Sequence, residues 1–316
     1  MKLIKSPIFY MGNKYDLLKQ LIPLFPKNID TLYDLFGGSA VVSFNVESNK
    51  TIYNELNENI YNLIQLFKNN NSEEIINKIE NNINEFNLPR LSCNVRVKHY
   101  TEEYKKEHNK NYLKFREYYN QQKDRNYIDL YTLTYFSFCN LIRFNQKNQF
   151  NMPFGNRCFL EEHKNKIIDA CDILKNKNII FENKNAFNIL QETTFNKDDF
   201  IYLDPPYSNT TAIYNEKRAF GGWTIEDDKR LFIILEKLDK CGIKWGLSNV
   251  FRNKGIENKH LIEWCDKNKW NVNHLNKNYA SLGKGNAKSD EVYICNYDIN
   301  ENQLTIFDIL GGDNNE

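Results

Sequence analysis

Asp204-Pro205-Pro206-Tyr207 directly follows the apolar run Phe200-Ile201-Tyr202-Leu203, and at this junction the chain is best equipped for chemistry. The run reads as a buried strand, and ligand sites in open α/β sheets lie at the carboxyl ends of strands. Pro205 and Pro206 remove two backbone donors and fix φ, so the segment is rigid and its carbonyls stay available as acceptors. Such groups suit an amino group on an aromatic base, a poor nucleophile because its lone pair is delocalised into the ring. A carboxylate and a carbonyl that accept its two hydrogens favour a pyramidal nitrogen with a localised lone pair. Asp204 and the Pro205 carbonyl are the candidates for that pair, and Tyr207 offers a face on which the base can stack. An ordinary proline loop would carry the same residues; the position after a strand favours the catalytic reading.

The second candidate is Asp34-Leu35-Phe36-Gly37-Gly38-Ser39-Ala40. Small residues between a strand and a helix let the backbone approach a cofactor closely, although packing alone can also demand glycine. Glu55, at the end of the next strand, is placed to accept both ribose hydroxyls of a nucleoside cofactor. No Lys-Ser/Thr pair follows the glycines and the three-glycine dinucleotide spacing is missing. An adenosine-containing cofactor without phosphates fits better than a nucleotide.

The elements that must position these residues alternate at both ends of the chain. Lys14 to Phe25 has helical apolar spacing that Pro26 stops; 31–36 reads as a strand, followed by a glycine turn and a helix to about Glu47. Residues 51–53 form a second expected strand, and a helix starts after Asn57. Between about 60 and 140 the pattern is long, helical and rich in tyrosine, and Arg143 to Pro153 resembles a hairpin. The alternation resumes with strands at 178–182, 200–203 and 243–247, a helix near 225–240, and late strands at 271–275 and 291–297. The expected plan is a discontinuous α/β catalytic domain (1–58 and 160–300), a mainly helical insertion (59–159) and a tail (301–316).

At 316 residues the chain is long enough for that plan, with 41% hydrophobic and 26% charged residues, as in an ordinary globular protein. Frequent Asn and Lys read as coding bias rather than disorder, because aromatic residues, 14% of the chain, punctuate nearly every segment. Net charge is only +1, but residues 84–157 carry a net +6, as expected of a segment that approaches a phosphate backbone. A solvated basic helix surface would give the same count. The seven cysteines contain no CxxC pair and the five histidines no metal-ligand spacing, so no metal is expected. Without a signal core or membrane-length apolar run, the expected setting is a reducing cytoplasm.

Taken together the motifs resemble the Dam family of DNA adenine methyltransferases, the D12 class, in the order cofactor site, recognition insertion and catalytic Asp-Pro-Pro-Tyr. Lys5-Ser6-Pro7 with Tyr10-Met11-Gly12-Asn13-Lys14 resembles the N-terminal motif, in which an aromatic ring and a lysine help hold S-adenosylmethionine. Asp34 to Ala40 resembles the glycine-rich motif, with Ala40 in place of a frequent glycine, and Glu55 with Asn57 the ribose-binding acid and its neighbour. The resemblance makes Tyr10, Lys14, Asp34, Phe36, Gly37, Gly38, Ser39, Ala40, Glu55, Phe187 and Asp204 the expected cofactor contacts. Phe138 to Asn145, then Phe150 to Gly155, resembles the DNA-reading hairpin, with Cys139-Asn140 where Asn-Gly is usual. Within it Phe138, Cys139, Asn140, Leu141, Arg143, Asn145, Asn151 and Pro153 are the expected DNA contacts, joined by Lys284 and Lys288 of a late loop.

The resemblance implies a Rossmann-like S-adenosylmethionine-dependent methyltransferase sheet with an inserted target-recognition domain. It also implies direct transfer to the 6-amino group of a flipped adenine in a short duplex site such as GATC, by a bacterial or phage enzyme, solitary or paired with a restriction enzyme. Arg143 suits guanine edges because its fork matches two acceptors; a phosphate contact is the plainer alternative. Related enzymes on cytosine tend to open the tetrapeptide with Ser and those on protein glutamine with Asn, so Asp204 argues against both; RNA adenine is disfavoured by the hairpin alone. An inactive DNA-binding regulator is opposed by Asp204, Tyr207 and Glu55. In the tail, Gln303-Leu304-Thr305-Ile306-Phe307 resembles the peptide by which bacterial replication proteins bind the sliding clamp, with Gln303, Leu304 and Phe307 as contacts. Docking of the tail on the protein's own domain is the other reading.

Overall fold

The computed structural model describes residues 2–90, 101–155, 157–208, 222–253, 255–276 and 289–299. The strands are β1 Thr31–Asp34, β2 Lys50–Asn54, β3 Ile179–Glu182, β4 Phe200–Leu203, β5 Lys244–Asn253, β6 Ile256–Glu257, β7 Asn271–Leu275 and β8 Asp290–Cys295. The helices are α1 Leu18–Leu21, α2 Val41–Asn45, α3 Glu58–Asn69, α4 Ser72–Glu85, α5 Glu102–Gln121, α6 Tyr127–Phe136, α7 Glu161–Asn176, α8 Ala186–Glu192, α9 Ile225–Lys240 and α10 Lys259–Asn268. The result is a mixed α/β protein around a largely parallel sheet. The expected elements stand close to their sequence positions; α7, α8 and α10 were not anticipated.

Packing divides the chain into two compact units, Met1–Asn13 with Gly38–Asn45 and Asn57–Asn183, and Lys14–Gly37 with Val46–Leu56 and Lys184–Glu316. This division runs differently from the expected insertion at 59–159. The helices explain why: α7 packs on α2, α3 and α4, so the chain beyond 159 stays with the helical unit. The N-terminal segment is tied to the same unit because the buried Tyr131 hydroxyl of α6 donates to the Pro7 carbonyl at 2.9 Å.

The helical unit closes around α6, which is buried from Asp129 to Phe136. A buried carboxylate needs partners, and Asp129 has them: Asn82 donates to one oxygen at 2.8 Å and Gln122 to the other at 2.9 Å. Asparagines at 57, 71 and 126 cap α3, α4 and α6 by accepting from backbone N–H groups of the first turn.

In the other unit the strands run in the order β2-β1-β4-β5-β8-β7. The pairs from β2 to β5 are parallel, and β8 is antiparallel to β5 and β7. All four residues of β4 are buried, as expected of a central strand covered on both faces. Behind it the fully buried Trp245 stacks on Trp264 of α10, and Trp264 on Phe232 of α9. Burial on that scale contributes about 1.5–3 kcal/mol per large apolar side chain. The carboxyl ends of β1, β2 and β4 thereby stand on a rigid base.

Candidate active site

Parallel pairing brings three carboxylates to one edge of the sheet. Asp34, the last residue of β1, is level with Tyr53 of β2 and with Tyr202 of β4. Glu55 and Asp204 each lie two residues beyond those partners, and Asp34 and Glu55 are only 1% and 6% exposed. Asn54 ties the strand ends together. Its amide donates to the carbonyls of Leu35 (2.9 Å) and Lys184 (3.0 Å) and accepts from the Lys184 N–H (3.0 Å). Sequence reading passed over Asn54 because a strand-end asparagine looks like any turn residue.

Gly37 is required by packing: a Cβ there would lie 2.3 Å from the Tyr53 ring, while its N–H donates to the Asn54 carbonyl at 2.8 Å. Phe36 meets the edge of Trp223 (5.5 Å), and Trp223 stacks nearly parallel to Phe187 (5.7 Å, 7°). The Arg230 guanidinium stands 4.2 Å from the centre of the Phe187 ring. Trp223 therefore joins two expected cofactor residues in one aromatic wall; its only sequence signal was a lone tryptophan ahead of a helix. In the helical unit, Gly38 adopts φ +48° with the Tyr10 ring against it, and a Cβ would lie 2.8 Å from that ring. Ser39 is buried, and Ala40 holds φ 61°, a conformation that glycine adopts freely and alanine does not. That conformation is a physical reason for the glycine usual at this position.

Asp204 is held from two sides. The Lys14 ammonium pairs with its Oδ2 at 2.7 Å, and the Tyr207 hydroxyl donates to Oδ1 at 3.1 Å while accepting from Lys14 at 2.9 Å. The side chain of Lys14 is 5% exposed and that of Asp204 16%. Burial pushes the Asp204 carboxyl above the ordinary carboxylate value, and the Lys14 ammonium and Tyr207 hydroxyl oppose this without cancelling it. Burial favours the neutral amine of Lys14, but Asp204, Tyr202 and Glu291 together outweigh it and hold the ammonium above the ordinary lysine value. Glu291, buried near the start of β8, is thus a further charged member of the site.

The donor set suits a nucleoside bearing hydroxyls and an ammonium. Two buried carboxylates at adjacent strand ends accept hydrogens, and they would repel the phosphates of a nucleotide. Glu55→Ala is expected to remove charge-assisted bonds worth about 1.5–3 kcal/mol, weakening S-adenosylhomocysteine binding by roughly 10–100-fold. Calorimetric titration reads this directly, and unchanged affinity would contradict the expected cofactor contact of Glu55. Among the described residues no group of three His, Cys, Asp or Glu side chains comes together as a metal site requires. No described helix is long and apolar enough to cross a membrane.

The expected DNA-reading residues lie in the helical unit on an arm with two isolated bridges, Ser137 to Phe154 and Phe144 to Phe150, rather than a continuous ladder. Between Ser137 and Leu141 the chain turns through Cys139 and Asn140, both with left-handed backbone (φ 56° and 55°), which breaks the ladder. Asparagine tolerates this conformation and glycine prefers it, so the turn accounts for the usual Asn-Gly. Asn140 is buried and its amide donates to the carbonyls of Thr134 and Tyr135, while Phe138, Cys139, Asn145 and Pro153 are exposed. Gly155 permits the close crossing, since a Cβ there would lie 2.2 Å from the Ser137 carbonyl oxygen. Arg143 donates across the arm to the Asn151 side chain (2.8 Å) and carbonyl (3.1 Å), using two of its five N–H donors. Leu141 is half-buried beside them. Tyr112 and Arg116 of α5 donate to the Met152 carbonyl and brace the arm. Lys284, Lys288 and the tail residues Gln303, Leu304 and Phe307 lie outside the described residues.

Residues 10–281 match the model of the D12 class N6 adenine-specific DNA methyltransferases. The chain is 37% identical over 302 residues to "Modification methylase StsI" of Streptococcus sanguinis, covering 94% of this chain and 43% of that protein. It is 36% identical over 299 residues to "Type II methyltransferase M.FokI" of Planomicrobium okeanokoites, with 93% and 43% covered. It is also 24% identical over 301 residues to "DNA adenine methylase" of Escherichia coli K12, with 92% and 95% covered. The chain thus spans less than half the length of the first two relatives. Because the family model matches most of the chain, residues 10–281, the chain belongs to the D12 class of N6 adenine-specific DNA methyltransferases.

Proposed function

We propose that this chain transfers a methyl group from S-adenosylmethionine to the 6-amino group of an adenine in a short duplex DNA site. The observation that carries the reading is the placement of Glu55, Asp34 and Asp204 at the carboxyl ends of three adjacent parallel strands, with Asp204 fixed by Lys14 and Tyr207. Glu55 and Asp34 would hold the hydroxyl and ammonium groups of the cofactor, and Phe36 and Phe187 its adenine. When bound, S-adenosylmethionine supplies a methyl group on a cationic sulfur.

The chain's own groups prepare the acceptor. A carboxylate offers about four lone-pair directions, and Lys14 and Tyr207 take one on each oxygen of Asp204. Room remains for one amino hydrogen of adenine, with the Pro205 carbonyl taking the other. The nitrogen becomes pyramidal and its lone pair is freed from the ring. Transfer leaves an additional proton on that nitrogen, and a carboxylate whose proton affinity is raised by burial is suited to receive it. The amine is out of reach inside a stacked pair, so the adenine must be flipped out, with Tyr207 as its stacking face.

Site choice is assigned to the arm around Arg143. Arg143→Ala is expected to relax discrimination at one base position by about 1–3 kcal/mol. A uniform loss over all sequences with a shallower salt dependence would make Arg143 a phosphate contact instead. The relatives' names, modification and type II methylases, suggest a restriction partner, though a solitary enzyme fits the same chemistry. Sequencing that detects methylated adenines in DNA from cells expressing the protein tests the reading. One short motif, with GATC the first to examine, is expected; no methylated adenine above background would refute it.

A further inference from the structure

Asp228 has no part in the chemistry above, yet its carboxylate is 1% exposed and no described lysine or arginine pairs with it. Three donors converge on it. Ser208 Oγ donates to Oδ2 at 2.5 Å, His260 Nε2 lies 2.8 Å from the same oxygen, and Trp223 Nε1 donates to Oδ1 at 2.7 Å. A buried carboxylate is costly unless its oxygens are hydrogen-bonded or paired. Here the three donors and the first turn of α9, whose partial positive charge favours an anion, offset that cost.

The identity of the donors gives the cluster its meaning. Ser208 is bonded to Tyr207, whose hydroxyl orients Asp204. Trp223 is the common member of the aromatic wall, edge-on to Phe36 and parallel to Phe187. His260 comes from α10 and packs near Phe232 of α9, anchoring the cluster to the helices behind the sheet. We propose that Asp228 is a positioning residue that sets the catalytic tetrapeptide and the cofactor's aromatic wall relative to each other through one carboxylate. The proposal rests on the functional reading above and adds a residue that touches neither substrate nor cofactor.

Asp228→Asn is the sharpest change, because it keeps the size of the side chain but turns an N–H₂ toward donors. It is expected to weaken S-adenosylhomocysteine binding by roughly tenfold, and kcat at saturating cofactor by roughly 10–100-fold, as loss of charged hydrogen bonds implies. The single donors should separate these effects. Ser208→Ala should lower kcat with cofactor affinity within twofold. Trp223→Phe, which keeps a ring but loses the N–H, should weaken cofactor binding more than it lowers kcat. Should Asp228→Asn not fold, the other two variants still test the division. The clamp itself is read without activity in the indole N–H spectrum, where Trp223→Phe assigns one of four signals and Ser208→Ala should move it. An unmoved Trp223 signal, or Asp228→Asn with cofactor affinity and kcat both within twofold of wild type, overturns the proposal. Effects of Ser208→Ala and Trp223→Phe that do not separate overturn it as well. Wild-type protein that neither binds S-adenosylhomocysteine nor methylates DNA would instead refute the functional reading, and a moved indole signal tells that failure from a failed clamp.

Discussion

Replacing Asp204 with alanine is expected to reduce methyl transfer into duplex DNA by on the order of 10²–10⁴-fold, the usual contribution of a positioned proton acceptor. Incorporation of tritium from labelled S-adenosylmethionine measures it, and retained cofactor binding with an unchanged circular dichroism spectrum shows that the protein still folds. On the proposed mechanism the change removes the acceptor for the amino hydrogen, and it also removes the 2.7 Å ion pair that Asp204 makes with the buried Lys14 ammonium. Asparagine at 204 keeps the shape and loses only the charge, so it separates the two effects. Activity of the alanine variant within tenfold of wild type would remove Asp204 from the mechanism.

The Lys14–Asp204 pair sets the second large effect, on pH dependence. On the proposed mechanism, transfer needs the ionised carboxylate. Burial raises the Asp204 carboxyl above the ordinary value of 3.8, so activity should be lost, as pH falls, sooner than a free aspartate would predict. The Lys14 ammonium opposes that rise. Lys14→Met removes the opposition and leaves the burial, so the acid limb of kcat/KM should move to higher pH. Loss of a charge-assisted contact should also lower the plateau by roughly tenfold or more. The pH profile is measured at saturating cofactor, to keep any role of Lys14 in cofactor binding out of the result. An acid limb that stays in place, or moves to lower pH, would show that the ion pair does not govern the ionisation of Asp204.

Much of this was legible in the residues. The apolar runs expected as strands at 31–36 and 200–203 located two of the three strand ends, with Asp34 inside the first and Asp204 directly after the second, because a parallel strand covered on both faces has an unmistakable composition. Glu55 could be placed from its distance beyond the second strand. Three things were not legible. The role of Lys14 depends on a contact 190 residues away, which no local spacing encodes. Gly37 and Gly38 looked like one cofactor turn, yet Gly37 answers to the Tyr53 ring and Gly38 to Tyr10. The Asp228 cluster joins residues 208, 223, 228 and 260, none in a recognisable motif, and becomes visible only when the buried carboxylate is asked where its partners are. The compact units also divide the chain elsewhere than at the expected insertion limits, for a similar reason. Nothing in the amphipathic pattern of residues 161–176 says that α7 packs on α3 and α4 rather than on the sheet.

The central claim is that an adenine amino group in DNA is the acceptor, and nucleoside mass spectrometry tests it most directly. Unmethylated duplex DNA is incubated with the purified protein and S-adenosylmethionine, digested to nucleosides and separated. The account predicts a time-dependent rise of N6-methyldeoxyadenosine alone, absent with the Asp204→Ala variant. Methylated cytosine in its place, or no methylated nucleoside from protein that binds both DNA and S-adenosylhomocysteine, would contradict it.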